Sequence, residues 1–197
     1  KTYINKPLKG TSRPFYVADY VDIAFNDIHF KGGVGDLNYG GGTLMLWPDT
    51  DNDGTFRSEA TFNRCSFEDV KAGCGGAVTQ WNGKLVLNDC SFKACKATSD
   101  NETKNGDGAS VPTGGAVIYC KSSEDGTALV EINNCTFENN ESAWTGGTVT
   151  IYNGDLTVKE SVFRNNVSGA SGGAIAAYNG STVTIQNCDF QSNEARK

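Results

Sequence analysis

The chain has little that would form helices, cross a membrane or bind polyanions. No stretch of about ten residues combines helical spacing with capping residues, and 24 glycines punctuate the 197 residues too densely for helices. No apolar run approaches the roughly 20 residues of a membrane-spanning helix, and no signal peptide is visible, so we expect an excised or processed segment. The net charge of −6 favours neither nucleic acid nor an anionic membrane as a partner.

Catalytic motifs are equally scarce. The only histidine, His29, lies between the apolar residues Ile28 and Phe30, so we expect it to point outward into solvent rather than into a catalytic site. No Ser-His-Asp arrangement, phosphate-cradling loop or metalloprotease motif can be drawn.

What the chain does contain is a motif pair that returns five times. Each unit opens with Gly-Gly, a small residue and an apolar residue, and it closes with a short apolar strand that ends in Cys/Ser-x-Phe. The openings begin at Gly41, Gly75, Gly114, Gly146 and Gly172. The unit length is about 26 residues, apart from an insertion between Lys96 and Thr113. Because repeat units bury their apolar faces against their neighbours, the chain is expected to be a stack.

Within a unit, apolar and polar residues alternate, as in a strand with one buried face. The fifth and third residues before the Cys/Ser position are expected to face inward, together with the Cys/Ser and the Phe. The first two positions hold Ala60, Leu85, Val130, Leu156 and Val183, and Phe62, Leu87, Ile132, Val158 and Ile185. The predicted structural ladders are Cys65, Cys90, Cys135 and Cys188, with Ser161 in the same slot, and Phe67, Phe92, Phe137, Phe163 and Phe190.

This pattern predicts an all-β fold, a right-handed parallel β-helix of about six to seven rungs, each rising about 4.8 Å. The leucine-and-asparagine pattern of a leucine-rich repeat is absent, and a propeller blade needs a longer unit. Residues 1–35 are expected to form an N-terminal lead-in or cap and a degenerate first rung, with Ile28 in the Cys slot. Residues 36–197 are expected to form the β-helix repeats, with a long loop at 96–113.

The motifs resemble the repeats of chlamydial-type polymorphic outer membrane proteins, in which Gly-Gly-Ala-[Ile/Leu/Val] alternates with Phe-x-x-Asn. Here Gly114-Gly115-Ala116-Val117 is followed by Phe137-Glu138-Asn139-Asn140, and the pair returns in the next two units up to Asn193. Earlier units depart from the pattern, with Val70 and Cys95 in the Asn slot. The resemblance implies a surface-exposed β-helix like those of autotransporter passengers and adhesins, anchored in an outer membrane through regions not in this chain.

One loop has the spacing of a calcium site. Asp49, Asp51 and Asp53 take loop positions 1, 3 and 5, ahead of Gly54 and Thr55. We predict calcium ligands at Asp49, Asp51, Asp53 and Thr55, and no other cofactor. The alternative is an ordinary acidic turn, because position 12 holds Ala60 instead of glutamate.

An aromatic column is the predicted ligand-binding surface. Six places after the first glycine of each opening stand Trp47, Trp81, Cys120, Tyr152 and Tyr178. An outward column of this kind would stack on sugars or dock a protein partner, with Trp47, Trp81, Tyr152 and Tyr178 as the contacts. The alternative is a structural stack at a corner of the β-helix.

Cysteine and asparagine add two expectations. The ladder cysteines are expected to be free thiols, because parallel side chains fit disulfide geometry poorly, and Cys74 with Cys95 is the most favourable bridge. Asn140 and Asn166 are expected to stack in a hydrogen-bonded ladder. Asn101, in the long loop, is the credible glycosylation acceptor if the source is eukaryotic.

Two functions remain. The first is a non-enzymatic adhesin or surface stalk, extracellular or at the cell surface, that binds a host or cell-surface protein or glycan. The second is a polysaccharide-binding or polysaccharide-degrading β-helix of the lyase or glycosidase kind. Such enzymes gather several carboxylates on one wall. The sequence shows no column of this kind in register, which favours the first function.

Overall fold

The computed structural model describes residues 2–5, 14–18, 21–35, 40–47, 58–100, 102–104, 110–122 and 128–197. Within these ranges the chain forms 26 short strands and no helix. The described residues therefore include no membrane-spanning helix.

Each rung of the stack passes through four parallel sheets in turn, which we number 1 to 4. Sheet 1 contains β3 (Asp22–Asn26), β6 (Glu59–Asn63), β10 (Gly83–Asn88), β16 (Ala128–Asn133), β20 (Asp155–Lys159) and β24 (Thr182–Gln186). Sheet 2 contains β1 (Thr2–Asn5), β4 (Ile28–Lys31), β7 (Ser66–Glu68), β11 (Ser91–Lys93), β17 (Thr136–Glu138), β21 (Val162–Arg164) and β25 (Asp189–Gln191).

The other two sheets complete the rung. Sheet 3 contains β8 (Lys71–Ala72), β12 (Lys96–Ala97), β18 (Glu141–Ser142), β22 (Val167–Ser168) and β26 (Glu194–Ala195). Sheet 4 contains β2 (Phe15–Val17), β5 (Leu44–Leu46), β9 (Val78–Trp81), β15 (Ile118–Lys121), β19 (Val149–Tyr152) and β23 (Ile175–Tyr178). Outside the stack, β13 (Glu102–Lys104) and β14 (Ser110–Pro112) form an antiparallel hairpin within the long loop.

Equivalent residues pair directly from rung to rung. Leu85 pairs with Ala60 on one side and Val130 on the other, and Phe92 pairs with Phe67 and Phe137. The predicted parallel β-helix is therefore confirmed, with the predicted inward positions in register.

Left-handed corner residues explain why the strands are so short. The corner between sheets 1 and 2 is a column of residues with φ of 51° to 58°: Asp27, Arg64, Asp89, Asn134, Glu160 and Asn187. The corner between sheets 2 and 3 is a second left-handed column: Gly32, Asp69, Ala94, Asn139, Asn165 and Ser192. Asn, Asp and Gly tolerate this region best, and each residue there turns the chain sharply.

The core consists of side-chain ladders along the axis. Rings of Phe30, Phe67, Phe92, Phe137, Phe163 and Phe190 stack with centroids 4.5 to 4.9 Å apart. The ladder from Cys65 to Ser161 is buried, as predicted. Cys188 is half-buried and Phe190 is 42% exposed, because both lie in the last described rung.

The N-terminal rung is more regular than its sequence indicates. Strands β3 and β4 pair in register with β6 and β7, so residues 22–31 form a regular rung of the β-helix. His29 pairs with Ser66, which places Ile28 in line with Cys65, as expected. Two strands of the lead-in, β1 and β2, extend sheets 2 and 4. At the long loop, Lys96 and Ala97 still belong to sheet 3.

Two asparagine ladders run along the helix, one inside and one outside. Inside, the amide of Asn140 donates to Asn166 Oδ1 at 2.9 Å, and that of Asn166 donates to Asn193 Oδ1 at 2.8 Å, which confirms the expected ladder. On the outer face of sheet 1, a second ladder joins Asn26, Asn63, Asn88 and Asn133 by bonds of 2.9 to 3.0 Å.

Candidate functional site

The aromatic column exists, but one of its members differs from the prediction. In sheet 4, Trp81 pairs with Lys121, and Lys121 pairs with Tyr152; Cys120 instead lies in the core. The reason is a one-residue shift in the third unit. Gly115, with φ of 64°, takes the left-handed position that Gly75 and Gly146 hold at 54° and 57°. The repeat therefore begins at Gly115 rather than Gly114.

The column is closely stacked along the helix axis. The rings of Trp47 and Trp81 lie parallel, with centroids 4.5 Å apart and planes 5° apart. On the other side of Trp81, the ammonium of Lys121 lies 4.7 Å from the ring centroid, and it lies 5.9 Å from the ring of Tyr152. Tyr178 follows Tyr152 in register. This order is a π–cation–π stack built from successive rungs.

The stack limits what the column offers to a ligand. Both faces of Trp81 are covered, by Trp47 and by Lys121, so a sugar ring has no face of Trp81 on which to stack. Lys121 is only 7% exposed, and the neighbouring Ser122 hydroxyl donates to Asn82 Oδ1 at 3.0 Å. Trp81 therefore presents only its edge, and binding of a ligand to the half-buried column stays a prediction.

A cleft at the corner between sheets 2 and 3 is a second candidate, which the sequence analysis missed. It has a volume of about 450 Å³ and is lined by Lys31, Gly32, Asp69, Lys71, Ala94 and Lys96. The small corner residues Gly32 and Ala94 leave the space open. Lys71 and Lys96 are register partners. The sequence carried a signal for this pair, because each lysine stands four places after its ladder phenylalanine.

Several carboxylates on the outer surface form ion pairs with lysine or arginine, or accept hydrogen bonds from asparagine. Lys84 lies between Glu59 and Glu131, at 3.8 and 3.2 Å, and all three side chains are partly exposed. At the first corner, Arg64 makes two hydrogen bonds of 2.8 Å with Asp27, and Asn134 donates to Asp89 at 2.7 Å. Within the described ranges, no group of three or more His, Cys, Asp or Glu side chains could hold a metal ion.

His29 lies on the outer face of sheet 2, but it is less solvated than expected. Its side chain is 18% exposed, Nδ1 lies 2.6 Å from the Ser66 hydroxyl, and Nε2 lies 3.7 Å from a Glu68 oxygen. Residues on the next rung flank the imidazole because the parallel register brings them alongside it.

None of the seven cysteines forms a disulfide, and six of them are buried. The bridge between Cys74 and Cys95 does not form. Cys95 belongs to the core cluster, where its N–H donates to Asn140 Oδ1 at 2.9 Å, whereas Cys74 lies outside that cluster, just before the Gly75 turn. Burial raises the pKa of Cys95 to about 12, and the hydrogen bond with Cys135 raises the pKa of Cys90 to about 12.

These thiols should therefore resist modification in the folded chain. We expect iodoacetamide at pH 8 to alkylate Cys188 rapidly and the six buried thiols only after unfolding, because the reactive form is an accessible thiolate. Mass spectrometry of native and urea-unfolded samples would measure this. Cys188→Ser should remove the native modification, and fast native alkylation of Cys90 or Cys95 would contradict the prediction.

Two predictions cannot be placed. The calcium ligands Asp49, Asp51, Asp53 and Thr55, and the glycosylation acceptor Asn101, lie outside the described residues.

Comparison with known proteins agrees with this architecture. The family model for the right-handed β-helix region matches residues 20–190. No curated protein and no solved structure matches the chain. Since the matched range covers most of the sequence and the parallel sheets bear the pattern of that fold, this chain belongs to the right-handed β-helix family.

Proposed function

We propose that this chain is a non-enzymatic segment of an extracellular or cell-surface protein, of the adhesin or autotransporter-passenger kind. It would act as a rigid stalk whose outer faces bind a host, cell or glycan target. Anchoring in an outer membrane would come from regions not in this chain. Nucleic acid is not among its proposed partners, and neither is direct insertion of this segment into a membrane.

The observation that carries the proposal is the continuous phenylalanine ladder from Phe30 to Phe190. Side chains that interlock from rung to rung bind each repeat to the next, so the stack resists bending. Six strands of sheet 1 at about 4.8 Å spacing give a stalk on the order of 25 Å long. A stiff rod with polar outer faces suits the display of binding surfaces away from an anchor.

The second candidate is a polysaccharide-binding or polysaccharide-degrading β-helix. The cleft at the corner between sheets 2 and 3, with its lysines, and the aromatic column favour binding of a polysaccharide. Degradation needs an acid and a base held together over the scissile bond. The outer carboxylates instead pair with Lys84, Arg64 and Asn134, an arrangement that suits structural charge pairing better than proton transfer.

The test combines binding and turnover assays on one sample of the chain. We expect a fluorescently labelled chain to bind target cells or members of a glycan array, and to release no unsaturated or reducing sugar ends from pectin, alginate or glycosaminoglycan. Turnover that disappears in Glu131→Gln or Asp89→Asn would establish the enzyme instead. Absence of both binding and turnover would overturn the adhesin proposal.

We also propose that the loop from Asp49 to Thr55 binds calcium, on the strength of its ligand spacing. Millimolar calcium should then raise the melting temperature, because a ligand that binds only the folded state stabilises it. Asp51→Ala should abolish the shift, and Asp155→Ala, an exposed acidic control on sheet 1, should preserve it. Equal melting temperatures in calcium and in chelator would identify an ordinary turn.

A further inference from the structure

We propose that the cleft at the corner of sheets 2 and 3 binds an anionic sugar of an acidic polysaccharide. The inference rests on the proposed binding role and adds a ligand class and a site. It begins with the charges around the cleft. Three lysines, Lys31, Lys71 and Lys96, and one carboxylate, Asp69, line a space of about 450 Å³. Among the lining residues lysines outnumber carboxylates three to one, whereas the chain as a whole carries a net charge of −6.

Two of these lysines lie side by side on neighbouring rungs. Lys71 and Lys96 are direct register partners on adjacent strands, about 4.8 Å apart at the backbone, and like charges so placed repel each other. Lys96 is paired with Glu141 at 2.9 Å, and Lys31 with Glu68 at 3.1 Å. Within the described part of the chain, Lys71 forms no ion pair. An anion seated in the cleft would give Lys71 an ionic partner and would reduce its repulsion with Lys96.

The remaining lining residues favour a sugar over a bare inorganic ion. Gly32 and Ala94 are left-handed corner residues with almost no side chain, and they make room where Asn139 and Asn165 occupy the same corner on later rungs. Asp69, which is exposed, can accept hydrogen bonds from hydroxyl groups, whereas it would repel sulfate or phosphate alone. A sugar with a sulfate or carboxylate group and free hydroxyls satisfies both the cations and the carboxylate. The volume is in the range of small-ligand sites.

Calorimetric titration at low salt tests the proposal with a sulfated, uronate-containing tetrasaccharide, its neutral unsulfated counterpart and inorganic sulfate as probes. We expect the sulfated tetrasaccharide to bind best, with an affinity that falls as salt is added. The double variant Lys71→Gln/Lys96→Gln should weaken it at least about tenfold, because charge-assisted hydrogen bonds are lost. Lys159→Gln, which removes the same type of charge from sheet 1, should bind within about twofold of the wild type.

Several outcomes would overturn the inference. They are equal binding by the double variant and the wild type, equal affinity for inorganic sulfate and the tetrasaccharide, or no binding by the wild type. Circular dichroism and melting curves should show that all variants fold, since the lysines are at the surface.

Cell binding separates the cleft inference from the adhesin proposal. If cells retain the double variant as well as the wild type, the cleft inference fails and the adhesin proposal stands. If the tetrasaccharide binds in calorimetry but the chain binds neither cells nor any glycan of the array, the cleft inference stands and the adhesin proposal fails.

Discussion

Replacing Phe137 by alanine is expected to lower the free energy of unfolding by roughly 3–5 kcal/mol. The ring is fully buried and stacks between Phe92 and Phe163, at centroid distances of 4.9 and 4.6 Å. Alanine would leave a cavity that both neighbouring rungs border, and the parallel backbone pairing on each side prevents the rungs from closing over it. Equilibrium unfolding in guanidinium chloride, followed by circular dichroism, measures the change.

Phe190→Ala provides the matched control. Phe190 belongs to the same ladder, but it is 42% exposed and stacks on Phe163 alone among the described rings. Phe190→Ala should lower the free energy of unfolding by well under half as much as Phe137→Ala, because less buried area is lost and solvent fills the space. Equal losses for the two variants, or a loss below about 1 kcal/mol for Phe137→Ala, would contradict a core built on this ladder.

Replacing Asn166 by alanine is expected to lower the free energy of unfolding by about 3 kcal/mol, because it breaks a buried network of hydrogen bonds. The Oδ1 atom of Asn166 accepts from the backbone N–H and the side-chain amide of Asn140, at 3.0 and 2.9 Å. Its amide donates to the Phe137 carbonyl and to Asn193. The variant leaves the backbone N–H of Asn140 and one of its two amide hydrogens buried without partners, whereas the other amide hydrogen keeps the Phe92 carbonyl. Each unpaired group costs about 1–3 kcal/mol.

The outer asparagine ladder supplies the control for this variant. Asn133 donates to Asn88 at 3.0 Å, but it lies half-buried on the surface of sheet 1, where water replaces the lost partner. Asn133→Ala should therefore cost no more than about 1 kcal/mol, measured by the same unfolding experiment. If both asparagine variants lose the same stability, burial is not what makes the inner ladder important.

The core could be predicted in detail from the sequence because the repeat encodes it twice. Alternation within a strand assigns each side chain to a face, and the repeat period aligns that face from rung to rung. This alternation and the repeat period together predict that Leu85, Cys90 and Phe92 face inward. Each of them is buried, in register with its predicted neighbours. The inner asparagine ladder followed from the same alignment.

The aromatic column shows where the alignment fails. Counting from the first glycine of each Gly-Gly pair predicts Cys120 in the column. The backbone instead takes its left-handed turn at Gly115, which moves Lys121 into the column. A one-residue change in register exchanges the two faces of a strand, so the core cysteine Cys120 takes the predicted place of Lys121, which lies on the opposite face between Trp81 and Tyr152.

The parallel β-helix and its inward ladders follow from the periodicity and composition of the sequence. Which outer side chains meet depends on the tertiary structure. Lys31, Lys71 and Lys96 come from two sheets and three rungs, and they share a cleft because the left-handed corner carries small residues there. The covered faces of Trp81 are likewise a result of stacking between rungs. Surface contacts depend on register and corner geometry, which a pattern of apolar residues does not specify.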